Sequence, residues 1–238
     1  DLRSQSPGAD GLVGISLAAA SLRTTIERVA QTNSRVMIAG PAGSGKEVVA
    51  RMIHAHSTRA EGAFVAVNAA AIAPERMESE LFGEEGPDGR PTKIGALERA
   101  HNGTLRLDEV GEMPLESQAK VLRVLVDQRF RRLGGSADVQ VNVRVASSTS
   151  RDLREAILAG RFREDLFHRL NVVPIRVPSL AERRDDIPAL VEHFLDRISQ
   201  TARIPARSLA PDAMAALQAA EWPGNVRQLR NMVERILI

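Results

Sequence analysis

The sequence predicts an α/β fold, a parallel sheet sandwiched by helices with a small C-terminal helical subdomain after it. Three observations carry this. Short apolar runs alternate with stretches of helical period from Leu17 to Val177, as strands do when their crossovers cover a sheet. The strand signal stops after Pro178, and only helical stretches follow. Between the first strand and the next helix stands the glycine-rich turn GPAGSGK, Gly40 to Lys46.

Residues 1–12 open with DLRSQSPGADG, polar and turn-rich, and read as a linker tail. LAAASLRTTIERVA has apolar residues at helical spacing. RVMIA is short, apolar and stopped by Gly-Pro, a buried strand. GKEVVARMIHAH returns to helical period and AFVAVN to a strand. PERMESELF reads as a helix with proline in its first turn. The following GEEGPDGRPTKIG, rich in glycines, prolines and charges, reads as a loop. A short helix through Ala100 leads to strand TLRLDEV, helix LESQAKVLRVLVDQ and strand VQVNVRVASS. SRDLREAILAGRFREDLFHRL reads as one helical stretch and VVPIRV as the last strand. LAERRDDIPALVEHFLDRIS, APDAMAALQAA and GNVRQLRNMVERILI make the helical subdomain. The closing ILI has no cap or breaker and reads as a truncation within a helix.

The composition, 43% hydrophobic and 26% charged over 238 residues, is that of a soluble chain long enough for a sizeable core. With aromatics at 3% and no Tyr, that core must come from Ala, Val, Leu and Ile. No apolar run reaches membrane-spanning length, and no secretion signal is visible. The absence of cysteine excludes disulfides and thiolate metal sites, and it fits a cytoplasmic protein. A net charge of +2 supplies no strong field for nucleic acid, and Arg129, Arg131 and Arg132 are too few for a patch. The five histidines show no metal-ligand spacing.

GPAGSGK fits the pattern G-x-x-x-x-G-K. Backbone N–H groups can wrap phosphate oxygens where glycine lets the chain curl tightly. The helix that follows turns its positive end toward them. Gly40, Pro41, Ala42, Gly43, Ser44, Gly45 and Lys46 therefore form a candidate cradle for a nucleotide, with Lys46 as a point charge for the β- and γ-phosphates. Glu47 stands where the motif usually carries Ser or Thr, so the hydroxyl that reaches Mg2+ is missing there. TLRLDEV ends a strand in two acids. Asp108 would hold Mg2+, and Glu109 would polarise an attacking water as general base. The bland readings are a chance glycine turn and a solvated strand end. The flanking strand and helix stand where the motif needs them, which favours the cradle.

GSGKE, VAVNAAAI, ESELFG, GTLRLDEVGEMP, GRFREDLFHRLNVVPIRVPSLAERRDDIP and WPGNVRQLRN together resemble the AAA+ ATPase domain of the bacterial enhancer-binding, NtrC-like response regulators. The likeness runs from about Val13 to the end. It implies an AAA+ P-loop parallel sheet over residues 13–178, a helical lid over 179–238, ATP or ADP with Mg2+, and a ring with ATP between subunits. It also implies roles. Asn68 would hold Glu109 in an inactive pose until γ-phosphate is sensed. Thr149 takes the sensor I position, followed by Ser150 where the family has Asn or His. Arg163 and Arg169 would be arginine fingers reaching a neighbour's ATP. Arg227 would be sensor II on the lid, and Val13, Gly14 and Ile187 would line the adenine site. Glu47 matches the family at its position. Trp222 reads as a packing anchor of the lid.

In typical members the loop after LFG carries GAFTGA, whose aromatic and threonine press on the nitrogen-type sigma factor. Here EEGPDGRPTKIG replaces it, shorter and polar, with Pro87 and Pro91 restricting the backbone. The expectation is an ATP-binding central domain of a two-component transcription regulator. Nucleotide would control conformation or assembly, hydrolysis would be weak or absent, and sigma-factor remodelling would be lost with the loop. The competing reading is an active ring ATPase that remodels sigma-factor-bound RNA polymerase. A small-molecule kinase would need a phosphoacceptor pocket and a GTPase an NKxD-like reader, and the sequence shows neither. The implied partners are further copies of the chain, as dimer or ring, with a receiver and a DNA-binding helix-turn-helix in the intact protein, and no membrane.

Overall fold

The computed structural model describes residues 11–203, 205 and 208–237. Most of the tail expected over residues 1–12, and the last residue of the closing ILI, lie outside the described residues. The elements in order are α1 (Leu17–Ala30), β1 (Val36–Ala39), α2 (Lys46–Ala55), β2 (Phe64–Asn68), α3 (Pro74–Phe82), β3 (Glu84–Glu85), β4 (Pro91–Lys93), α4 (Ala96–Arg99), β5 (Thr104–Asp108) and α5 (Leu115–Asp127). They continue with β6 (Arg129–Arg131), β7 (Asp138–Gln140), β8 (Arg144–Thr149), α6 (Leu153–Leu158), α7 (Glu164–Leu170), β9 (Val173–Arg176), α8 (Ile187–Ala202), α9 (Pro211–Ala219) and α10 (Asn225–Leu237). The chain forms two compact units, one of residues 28–39 and 53–175, the other of residues 11–27, 40–52 and 176–237.

The first unit is built on a five-stranded sheet in the order β2-β5-β8-β1-β9. The β2/β5, β5/β8 and β8/β1 pairs are parallel. Strands covered on both faces lose the alternation of an exposed sheet and become continuously apolar or small. β8, RVASST, is buried at every position. Met77, Leu81, Leu105, Leu107, Leu166 and Leu170 from α3, β5 and α7 are fully buried in its core. Each leucine there contributes about 1.5–3 kcal/mol by leaving water. The buried Arg144 guanidinium donates to the carbonyls of Val29 (2.9 Å), Ala30 (3.2 Å) and Ser34 (3.1 Å). It satisfies the open end of α1, where a cation is favoured, and burial holds its pKa below the ordinary arginine value.

Three expectations need correction. VQVNVRVASS is two strands, β7 and β8, because Gln128 takes the intervening amides. Its carbonyl accepts from Val141 N (2.9 Å) and its side-chain oxygen from Val143 N (2.9 Å). SRDLREAILAGRFREDLFHRL is likewise two helices. The chain turns at Gly160, and the N–H groups of Arg161 and Phe162 both go back to Ala156 O. The stretch after ELF is a hairpin, not an open loop: β3 and β4 pair antiparallel, and Glu85 N and Leu133 N bond Leu133 O and Gly83 O, at 2.9 and 3.0 Å. Its roots are also tied by side chains. Arg132 forks onto Glu98 (3.0 and 2.9 Å) and reaches Glu85 (3.2 Å), while Lys93 reaches Glu80 (2.8 Å) and Ser79 (3.0 Å).

In the second unit a helical core gathers Leu180, Ile187, Val191, Leu229 and Val233 with Trp222, whose Nε1 donates to Leu217 O at 2.9 Å. Ser179 and Glu182 form a capping box at the entrance to this core.

Candidate functional site

In the second unit the turn of residues 40–46 connects β1 to α2. Gly43 has φ +75°, and a Cβ there would lie 2.3 Å from the Gly224 carbonyl oxygen, so only glycine fits. Lys46 is buried at the first position of α2, its Nζ donating to Gly40 O (2.8 Å) and Pro41 O (3.3 Å). Ser44 is fully buried, and its hydroxyl has no hydrogen-bond partner among the described residues. Buried polar atoms are rarely left so, and an anion in the turn would supply what is missing. Glu47 accepts from Arg51 one turn on, at 2.9 and 3.0 Å.

The lid residues of the same unit reach this turn. Arg227 N donates to Gly43 O at 3.2 Å, which sets the base of the Arg227 side chain against the cradle. Asn225 bridges two segments, accepting from Leu180 N (2.8 Å) and donating to Ala42 O (3.0 Å). Gly14, at φ +148°, passes so close to Asp186 that a Cβ would meet the carboxylate at 2.6 Å. Asp186 in turn accepts from Ile15 N, Ser16 N and the Ser16 hydroxyl, at 2.7–2.8 Å. Val13 and Gly14 thus lie beside the residue preceding the fully buried Ile187. Arg183 donates to Ser44 O (2.8 Å), while its Nε and Nη1 make no hydrogen bond among the described residues; burial lowers its pKa and Asp186 opposes this. Sequence reading missed Asn225, Asp186 and Arg183. Their visible signals were the turn WPGN before a helix and the charge cluster ERRDD before an apolar one.

In the sheet unit the strand ends are level. Asn68 stands opposite Asp108, and Ala39 opposite Thr149. Asn68 Oδ1 accepts from Ala70 N (3.0 Å) and caps a short turn. Asp108 is engaged at both oxygens: Oδ2 lies 2.8 Å from a terminal nitrogen of Arg106, and Oδ1 accepts from the Ser148 hydroxyl. Glu109 has left-handed backbone angles, φ 51° and ψ 53°. Its Oε2 accepts from the Ser150 N–H (2.9 Å) and hydroxyl (2.8 Å). Thr149 bonds Arg151 O at 3.0 Å.

Arg163 is the N-cap of α7 and Arg169 lies in its last turn, both exposed. The Arg163 guanidinium forks onto Asp165 at 3.0 and 2.8 Å, and its N–H is held by the buried Gln118 at 2.9 Å. That pairing raises the Arg163 pKa and lowers that of Asp165. Arg169 depresses its neighbour Arg35 through repulsion, after burial. Arg131 and Arg132 are paired with Asp138 and with Glu98 and Glu85, and form no basic surface.

Asp108 carries one contact on each oxygen, from Arg106 and from Ser148, and among the described residues no group of three His, Cys, Asp or Glu could by itself hold a metal. A Mg2+ ion brought by phosphate oxygens and water would meet Asp108 through that water, with no hydroxyl from Glu47 to help.

The family model for the sigma-54 interaction domain matches residues 12–176, and the model for the AAA+ ATPase lid domain matches residues 181–238. The chain is 63% identical over 227 residues to the nitrogen assimilation regulatory protein NtrX of Azorhizobium caulinodans, covering 95% of this chain and 50% of that one. Crystal structures of NtrX from Brucella abortus in complex with ATP and with ADP, each 62% identical, align over 95% of this chain with TM-scores of 0.91 and 0.89. They are covered over 50% and 51% of their own length. The chain spans about half the length of the curated relatives it matches. With its sheet order and glycine cradle, it belongs to the sigma-54 interaction domain family, completed by an AAA+ lid.

Proposed function

We propose that this chain is the ATP-binding central domain of a two-component transcription regulator, in which nucleotide sets conformation or assembly and hydrolysis is weak or absent. The observation that carries the reading is the cradle: Gly43 closed against Gly224, the orphaned Ser44 hydroxyl, and Lys46 bonded to two carbonyls. The Brucella NtrX structures with ATP and ADP support it. Backbone amides of the turn would take phosphate oxygens, and Lys46 Nζ would exchange its carbonyls for the anion. Arg227, whose backbone is bonded to Gly43, would add charge from the lid. A ligand bound better by one arrangement than another shifts their populations without being consumed.

The same reading takes residues 13–178 as the sheet subdomain and 179–238 as the lid. It replaces the moving GAFTGA element with the tied hairpin of residues 83–95, so sigma-factor remodelling is not part of it. Receiver and DNA-binding domains belong to the intact regulator, and self-association as dimer or ring accompanies it. Among the described residues no helix is long and apolar enough to cross a membrane.

The second reading, an active ring ATPase acting on sigma-factor-bound polymerase, is favoured by the family match and by Asn68, Glu109, Arg163 and Arg169 together. Calorimetric titration with ATP and ADP, then phosphate release at rising protein concentration, separates the two. The first predicts tight binding with turnover flat in concentration. Turnover climbing steeply with concentration establishes the second, and absence of binding removes both.

A further inference from the structure

Arg183 lies buried against the outside of the cradle with most of its donors unmet. Its side chain is 2% exposed, and its one hydrogen bond among the described residues runs from Nη2 to Ser44 O at 2.8 Å. Nε and Nη1 make none. Asp186 stays 3.9 Å from Nη1, with its own oxygens engaged by Ile15 N, Ser16 N and the Ser16 hydroxyl. A guanidinium has five N–H donors, and leaving them unmet away from water costs stability. Stability alone is therefore a poor reason for this arginine. Its backbone is nonetheless anchored on both sides. Ser179 and Glu182 close a capping box before it, and Asp186 is tied to Ile15 and Ser16 after it.

What the single bond fixes is a peptide plane. In a planar trans peptide the C=O and the N–H point in opposite directions. An arginine holding Ser44 O on one side therefore turns the Gly45 N–H to the other. Gly45 stands at φ +109°, and a glycine has neighbouring conformations within easy reach. The Ser44–Gly45 peptide thus needs an outside hold if its N–H is to be aimed before a ligand arrives, and such preorganisation raises affinity.

We infer that Arg183 is a positioning residue for the phosphate cradle: by holding Ser44 O it keeps the Gly45 N–H turned into the cradle, ready for a phosphate oxygen of a nucleoside di- or triphosphate. This rests on the reading that residues 40–46 bind nucleotide. Arg183 touches no ligand and acts through one peptide. Its effect belongs to the phosphates, not to the base or ribose.

The test is calorimetric titration of the full chain with ATP, and with inorganic tripolyphosphate in competition with ATP. It is run on wild type, Arg183→Met, Arg183→Lys and Arg184→Ala, each confirmed folded by circular dichroism. Arg183→Met keeps the bulk and loses the donor, and it weakens ATP and tripolyphosphate alike, by about tenfold. Arg184 bonds Gln218 O and Ala219 O instead, so Arg184→Ala stays within about twofold of wild type. An equal loss in Arg184→Ala would mean a loosened lid and overturns the inference. So does Arg183→Met within about twofold of wild type, or a loss for ATP that tripolyphosphate does not share. Tripolyphosphate that fails to compete even for wild type overturns it as well. If Arg183→Met does not fold, Arg183→Lys, which keeps the charge and loses the planar fork, is read the same way, with a shared loss of about threefold. These outcomes leave the nucleotide reading standing; no heat from ATP with wild type removes both.

Discussion

Ser150 holds Glu109. Its N–H and its hydroxyl both donate to one oxygen of the carboxylate, at 2.9 and 2.8 Å. A general base works only if that oxygen can face water. Ser150→Ala removes one of two bonds to a charged group, each worth about 1.5–3 kcal/mol. Its expected effect is phosphate release about threefold to tenfold faster than wild type, measured by a coupled phosphate assay. Glu109→Gln in the same background should return the rate to baseline.

Lys46 is buried and bonded to two carbonyls of its own turn, positioned without its ligand. Lys46→Ala deletes a charge-assisted contact to phosphate, and ATP affinity by calorimetry should fall about tenfold to a hundredfold. Thermal stability without nucleotide should change far less.

Arg132 joins two carboxylates from separate elements, with Glu85 only 7% exposed at its side chain. Their attraction raises the Arg132 pKa, through Glu98 first and Glu85 next, against the opposing effect of burial. Arg132→Ala leaves both acids without their partner and should cost about 2–3 kcal/mol in urea unfolding. Arg90, 86% exposed and 3.9 Å from Asp88, is the contrast, and Arg90→Ala should change stability by under about 0.5 kcal/mol.

Glu182 is drawn down from 4.5 to about 2, first by the Arg176 guanidinium, then by the Ser179 N–H and hydroxyl. Its folded value lies below its unfolded one. The stabilisation is therefore complete above pH 4.5 and disappears as pH falls toward about 2. The urea-midpoint gap between wild type and Glu182→Gln should be constant at neutral pH and close across that window.

Local features of this fold were legible. The cradle is seven consecutive residues whose spacing is itself the geometry, and the strand ends at Asn68 and Asp108 follow from apolar runs that stop at polar residues. What was hidden is non-local. Asn225 meets Ala42 across 183 positions and Asp186 meets Ser16 across 170. No periodicity encodes such contacts. Gln128 splits an apparently continuous strand because its left-handed backbone turns a carbonyl and an amide toward Val141 and Val143, a tertiary preference that overrides β propensity. Arg129, Arg131 and Arg132 look alike in sequence, yet Arg132 alone reaches Glu85, 47 positions away.

Fastened by Arg132 on one root and Lys93 on the other, the hairpin has its base pinned to α3 through Ser79 and Glu80 and to α4 through Glu98. A partner that gripped the exposed residues 87–90 would pull on those two helices and not on a slack end.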